Sequence, residues 1–266
     1  AALVFVVVQR KPGRWIPRRL QRRFVRRWVL RRPRRKRFMV MKLASRYFND
    51  ESRNRINSAV AAAESKACAE IVPVVTTCSG RYDRSEDLAG LCLAIIALIV
   101  AWMFFQRVDL ASTERWDEAK LSLNLVSIII ILVAGFVVGA ILASHVPWLR
   151  RLFTPRGEMQ AEINERARLV FFDQRIHHTK SAGGLLIFVS LFERMAAVIA
   201  DEAVAEKYGM PAIEALCNHL MAKLHDGDLA TALEETIALA GEQLGRVLPR
   251  QTDHANELSD ALVTID

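Results

Sequence analysis

The chain has 266 residues, 52% of them hydrophobic, which is long enough for one or two domains with a sizeable core and apolar enough to suggest membrane segments. Its formal charge of +8 does not mean a basic surface: fifteen of the 37 Lys and Arg lie between Arg10 and Arg37, no acid precedes Asp50, and the remainder is net acidic. Cys68, Cys78, Cys92 and Cys217 have no CxxC or regular spacing, which argues against a disulfide framework or a zinc site and for free thiols in a reducing compartment.

Residues 1–40 alternate Arg pairs with apolar residues (RRLQRRFVRRWVLRRPRRKR). Clustered Arg could bind phosphates of nucleic acid or anionic lipid, and an Arg-rich, acid-free segment also fits a transit-like presequence. The abrupt change of composition favours a third reading, a leader upstream of a start at Met39 or Met41 that stays outside the fold, and no nucleic-acid partner is expected.

The first part of a domain is expected at 41–87. Asp50 to Lys66 has Ile56, Val60 and Ala63 at helical spacing behind a cap at Asn49 or Asp50. Ala69 to Val75 then reads as a strand, and Pro73 gives it one free side or a bulge. Residues 88–144 contain two long apolar runs, Leu88 to Phe105 and Leu121 to Ser144, joined by a mixed-charge loop. Each meets the length needed to cross hydrocarbon, so a transmembrane hairpin is expected. Gly135 and Gly139 match the small-xxx-small pattern of closely packed helices. Arg81, Arg84, Arg150, Arg151 and Arg156 flank the outer ends, against Arg107, Arg115 and Lys120 in the loop. That imbalance favours both termini, and the soluble domain, on the cytoplasmic side of the membrane.

The second part of the domain is expected at 145–248, and its centre organises the whole chain. Met159, Ile163, Ala167, Val170 and Phe171 mark a helix. Leu185 to Val189, opened by Gly183-Gly184, is an unbroken apolar run of the kind buried on both faces in the middle of a sheet. The turn Glu193-Arg194 folds Met195 to Ala200 back beside it. Ile213 to Leu224 and Leu229 to Leu244 give two more helices, Pro211 opening the first and Asp228 capping the second. Residues 249–266 are expected to form a loose tail. The strand at 70 and the central strand pair in parallel if the chain between them crosses over.

These pieces resemble the TPM-domain family. The resemblance is carried by AVAAAESKACAEIVPVV, by LVFFDQRIHHTKSAGGLLIFVSLFERMAAVIADE and by HDGDLATALEETIALAGEQL, over about residues 50–90 and 158–248. It implies an α/β/α sandwich. The two apolar runs within the domain look like a bacterial membrane-protein branch. Family members include proteins with acid phosphatase activity or divalent-cation binding and others that act as accessory factors, so the resemblance implies no single chemistry.

P-loop, GxSxG, HExxH and Rossmann glycine patterns are absent. Parallel pairing would gather Glu70, His177, His178, Thr179, Asp201 and Glu202 at one end of the sheet. Carboxylates there, Asp201, Glu202 and Glu70, could hold Ca²⁺ or Mg²⁺ and polarise a phosphate oxygen. The plainer reading, a solvated loop with Asp201 as a helix cap, is preferred. The other end would carry Thr76, Thr77, Cys78, Ser79, Ser190, Glu193 and Arg194, the last two read as turn charges near lipid headgroups. Asp226-Gly227-Asp228 lacks the further ligands of a calcium loop and reads as a helix stop and cap. Two functions remain open: an accessory or interaction module at the membrane, partnered by the bilayer and a membrane-proximal protein, or a cation-dependent phosphatase of low activity.

Overall fold

The computed structural model describes residues 4–8, 42–105, 124–176, 183–250 and 261–266. The chain is mixed α/β and divides into two compact units, one built from residues on both sides of the other in sequence.

The first unit centres on a sheet of strand order β1-β4-β3-β2-β5, with β1 Val4–Val8, β2 Glu70–Thr76, β3 Gly184–Ser190, β4 Met195–Ala200 and β5 Val263–Ile265. The run Leu185 to Val189 lies at the centre, every residue of β3 buried. Each large side chain there contributes about 1.5–3 kcal/mol relative to exposure, which is why an unbroken apolar run takes the position covered on both faces. β2 pairs with β3 in parallel from Glu70 opposite Gly184 to Thr76 opposite Ser190, and β4 returns antiparallel with Leu185 opposite Ala200. Gly183 and Gly184 start the strand because nothing larger fits: a Cβ on either would lie 2.5 Å from a backbone oxygen, that of Cys68 or of Ile176.

Helices lie on both faces. On one side, Ile71, Val75, Leu185, Ile187 and Val198 form a continuous core with α1 (Asp50–Glu64), α7 (Met210–Asp226) and α8 (Leu229–Val247). Residues of opposite parity, among them Leu186, Phe188 and Ile199, are equally buried. Strand geometry sends them to the other face, and α5 (Arg156–Asp173) packs against β3 and β4 with Ile163, Ala167, Val170 and Phe171 buried. Asn49 caps α1, accepting from the Ser52 amide at 2.8 Å, and the short α6 (Glu202–Tyr208) follows β4. Asp228 occupies the N-cap position of α8, but its carboxylate makes no capping bond, contrary to the expectation.

The two chain ends differ most from expectation. Val4–Val8, within the leader expected to stay outside the fold, pairs antiparallel with β4 as an edge strand; residues 9–41, with the basic run, lie outside the described residues. The tail expected to be loose ends in β5, parallel to β2. The Leu262 amide donates to Asn57 at 3.0 Å, and the Asp266 carboxylate accepts from the amide and hydroxyl of Ser45 at 3.0 and 2.7 Å. Three β-branched residues on a strand edge, pinned at both ends by polar contacts, override the polarity of the tail that precedes them. Pairing with β5 begins at Val74, one residue after Pro73, so the residue with no amide proton stands where that ladder has not started.

The second unit, Arg81–Pro155, contains α2 (Asp83–Phe105), α3 (Leu125–His145) and the short α4 (Pro147–Phe153). The joining loop, residues 106–123, lies outside the described residues. α2 and α3 are long and apolar enough to cross a membrane. They run antiparallel in close contact: a Cβ on Gly139 would lie 2.8 Å from the Gly90 Cα, and one on Gly135 would lie 2.8 Å from the Ala94 Cα. The small-xxx-small stripe of α3 therefore meets a second one, Gly90 and Ala94, on α2. Away from this seam the large side chains face outward, Met103 and Leu125 being about 70% exposed (71% and 69%). At the end of the unit, Arg150 pairs with Glu86 at 3.4 Å and lies over the Tyr82 ring.

Candidate functional site

The ends of the β2-β3-β4 layer carry the polar residues singled out above. At the end where β2 and β3 begin, Glu70 and Asp201 flank Gly184: Glu70 is its register partner and the Asp201 amide donates to its carbonyl at 2.8 Å. Both acids are buried. The Asp201 carboxylate accepts from the Glu202 amide at 2.7 Å, capping α6, as an aspartate does when it starts a helix. Glu202 is exposed in the first turn. His177, His178 and Thr179 lie outside the described residues. Among the described residues, no group of three or more His, Cys, Asp or Glu is arranged to hold a metal ion. Topology thus gathers Glu70 and Asp201, and the helix that follows β4 engages Asp201.

The opposite end is more organised. Glu193, expected to be a turn charge near headgroups, is instead fully buried. One carboxylate oxygen accepts from the Ser79 amide at 2.9 Å and from the Cys78 thiol at 3.7 Å; the other accepts from the Ser190 hydroxyl. The carboxylate thereby ties the turn after β2 to the turn after β3. The parallel ladder continues beyond the strands to support it, Leu191 and Phe192 amides donating to Thr76 and Thr77 carbonyls at 3.0 Å. Thr76 donates to the Cys78 carbonyl at 3.0 Å, and the single proton of the Cys78 thiol has the Gly80 carbonyl, at 3.2 Å, as its alternative acceptor. The Ser79 hydroxyl is the exception in this junction, a buried oxygen with no hydrogen-bond partner among the described residues.

A second carboxylate borders this junction. Glu162 of α5 lies over Gly80, in the space a side chain there would occupy. Its carboxyl is held above the usual range, first by burial and then by repulsion from Glu165, Glu158 and Glu193. Arg194, next to Glu193, points the other way: it is exposed, its backbone is left-handed (φ 54°), and it forms no ion pair among the described residues.

A carboxylate touching a thiol and a hydroxyl is also the arrangement of a base beside a nucleophile. At Glu193, however, the acceptor positions hold two turns together and the group has no exposed surface. The geometry is that of a structural clasp. Two participants escaped the sequence. Buried Glu64, at the end of α1, accepts from the Ile71 amide at 2.8 Å and so sets the start of β2. Asp266 latches the turn at Ala44–Tyr47, aided by Thr77, whose hydroxyl accepts from the Ala44 amide at 2.7 Å. Nothing in local spacing marks either residue, because both partners are reached only through the tertiary fold.

No protein-family model matches the chain, and no curated protein is found similar to it. Among solved structures, the NMR structure of BA42 protein from the psychrophilic bacterium Bizionia argentinensis aligns with 81% of this chain and 94% of its own, at 14% identity and a TM-score of 0.46.

Proposed function

We propose that the protein is a membrane-inserted accessory module. α2 and α3 cross the bilayer as an antiparallel pair, and the sheet-centred unit works at the membrane surface by binding a membrane-proximal protein. The observation that carries this reading is the outward-facing apolar surface of both helices. α3 has 21 residues, about 32 Å at 1.5 Å per residue, against a hydrocarbon core of about 30 Å. Side chains such as Met103, Phe104, Leu125 and Ile130 gain nothing from water and are at home in lipid. Trp148 and Leu152 on α4, two exposed apolar residues beside Arg150, suit the headgroup layer just beyond the span.

Within this proposal the chain is a branch of the TPM-like α/β/α fold whose transmembrane hairpin is inserted between β2 and β3, in a bacterial inner membrane with the sheet unit on the cytoplasmic side. A binding role is preferred over phosphatase chemistry because the best-organised polar group, Glu193, is committed to holding two turns. Two measurements test the reading. Alkaline carbonate should leave the full chain in the membrane pellet, and release into the supernatant would refute insertion. Purified protein should not hydrolyse p-nitrophenyl phosphate; chelator-sensitive turnover lost in Asp201→Asn would replace the binding role with catalysis.

A further inference from the structure

Beside the Glu193 clasp, the turn after β3 and the junction of α7 with α8 border an open-mouthed cavity of about 350 Å³. That is near the lower end of the range of small-molecule pockets. Its apolar lining comes from Met195, Met221, Leu224 and Leu229. Two methionines in so small a site make a surface that adapts to ligand shape. Its polar lining includes Arg194, Tyr47 and Asp228. Tyr47 and Arg194 are exposed, and neither forms an ion pair among the described residues. Lys223, a cation near the end of α7, is paired with Glu235 at 2.5 Å. Arg194 is thus the guanidinium in this lining, with no ion pair or hydrogen bond to its side chain among the described residues.

The conformation of Arg194 adds to the case. A left-handed backbone is the ordinary place for glycine or asparagine at the end of a turn, and an arginine there is strained. Glu193, one residue earlier, is pinned inward, so the turn holds Arg194 outward at the cavity. We propose that this cavity binds a small amphipathic carboxylate, its apolar body on the methionines and leucines and its carboxylate on the Arg194 fork. A guanidinium matches a carboxylate in bidentate geometry. Among the lining residues Arg194 and Asp228 carry opposite charges and His225 adds an imidazole, a balance that suits a single negative charge better than a phosphate dianion. The ligand is either a free acid or the carboxy-terminus of a short apolar peptide. This inference is independent of membrane insertion.

The test is calorimetry on the full chain in lipid nanodiscs, which avoids detergent competing for the cavity. The probes are 4-phenylbutyrate, its primary amide, and N-acetyl-Leu-Phe with a free carboxylate. The variants are Arg194→Gly, which keeps the left-handed turn without strain, and Met221→Trp, which fills the cavity and leaves the charge. At least one acid should bind, with the amide at least tenfold weaker and both variants at least tenfold weaker for that acid. Whichever acid binds more tightly identifies the source. Equal binding of acid and amide, unchanged affinity in Arg194→Gly, or no binding of either acid into the millimolar range would overturn the proposal.

Discussion

Replacing Glu193 tests the clasp most sharply. In Glu193→Ala, the Ser79 amide and the Ser190 hydroxyl lose a buried acceptor. A buried donor left without a partner costs about 1–3 kcal/mol, so two cost roughly 2–6 kcal/mol before the cavity left by the missing side chain is counted. Glu193→Gln is a different perturbation. Its amide oxygen can still accept from the Ser79 amide, while its NH₂ can donate to the Ser190 oxygen once that hydroxyl turns. The loss should be about 1 kcal/mol, the net value of an ordinary hydrogen bond. Urea unfolding of the three proteins in the same detergent, followed by circular dichroism, measures the difference. The order wild type, Gln, Ala is expected, with alanine lower by several kcal/mol. If alanine falls within about 0.5 kcal/mol of wild type, as a surface substitution would, the carboxylate does not hold the turns together.

Four further outcomes follow from the same contacts. Gly139→Leu must push α2 and α3 apart, because even a Cβ would lie 2.8 Å from Gly90; destabilisation of about 1–3 kcal/mol or more is expected, read as earlier dissociation of the pair in rising SDS. Arg194→Gly should raise stability by about 1 kcal/mol through relief of the left-handed backbone, measured by thermal unfolding. Asp266 is held below the usual carboxylate range, chiefly by the Ser45 amide and hydroxyl. Its stabilisation is therefore present above the unfolded value and lost as pH falls through the folded one, so the stability gap to Asp266→Asn should close in acid. Glu162 behaves oppositely: held above the usual range, it favours the fold only while protonated. Glu162→Gln should match wild type in acid and become the more stable as pH rises through the raised value.

The parts of this molecule that announce themselves in sequence are those governed by near neighbours. Leu185 to Val189 reads as a central strand because five consecutive apolar residues leave no polar alternation. The span of α3 and its Gly135–Gly139 stripe are equally plain, and the partner stripe, Gly90 and Ala94, has the same spacing on α2. The end of the sheet shared by Glu70 and Asp201 followed from one assumption, that β2 and β3 run parallel.

What stayed hidden depends on distant partners. Nothing local separates Glu193, fully buried, from Arg194, exposed, since both are charged residues of one turn. Their difference arises because the Ser79 amide and the Ser190 hydroxyl wait on only one side. Val263–Ile265 looked too short and too polar in context to be a strand; the edge of β2 and the Ser45 contact make it one. Asp228 shows the reverse error, for a good capping residue stands at the cap and does not bond there. Asp228 is one of the residues lining the cavity, so a local propensity yielded at a place where the structure gathers polar groups.

The central claim is that the outer surface of α2 and α3 faces lipid, and Cys92 is a native probe of it. The side chain is exposed on α2, well inside the apolar run, whereas Cys217 is buried in the sheet unit. In opened native membranes, a charged, water-soluble maleimide should leave the Cys92 peptide unmodified by mass spectrometry until SDS is added, while a lipid-permeant maleimide should have access to it. Rapid modification of Cys92 by the charged reagent in intact bilayers would contradict the account, because that exposed face would then be standing in water.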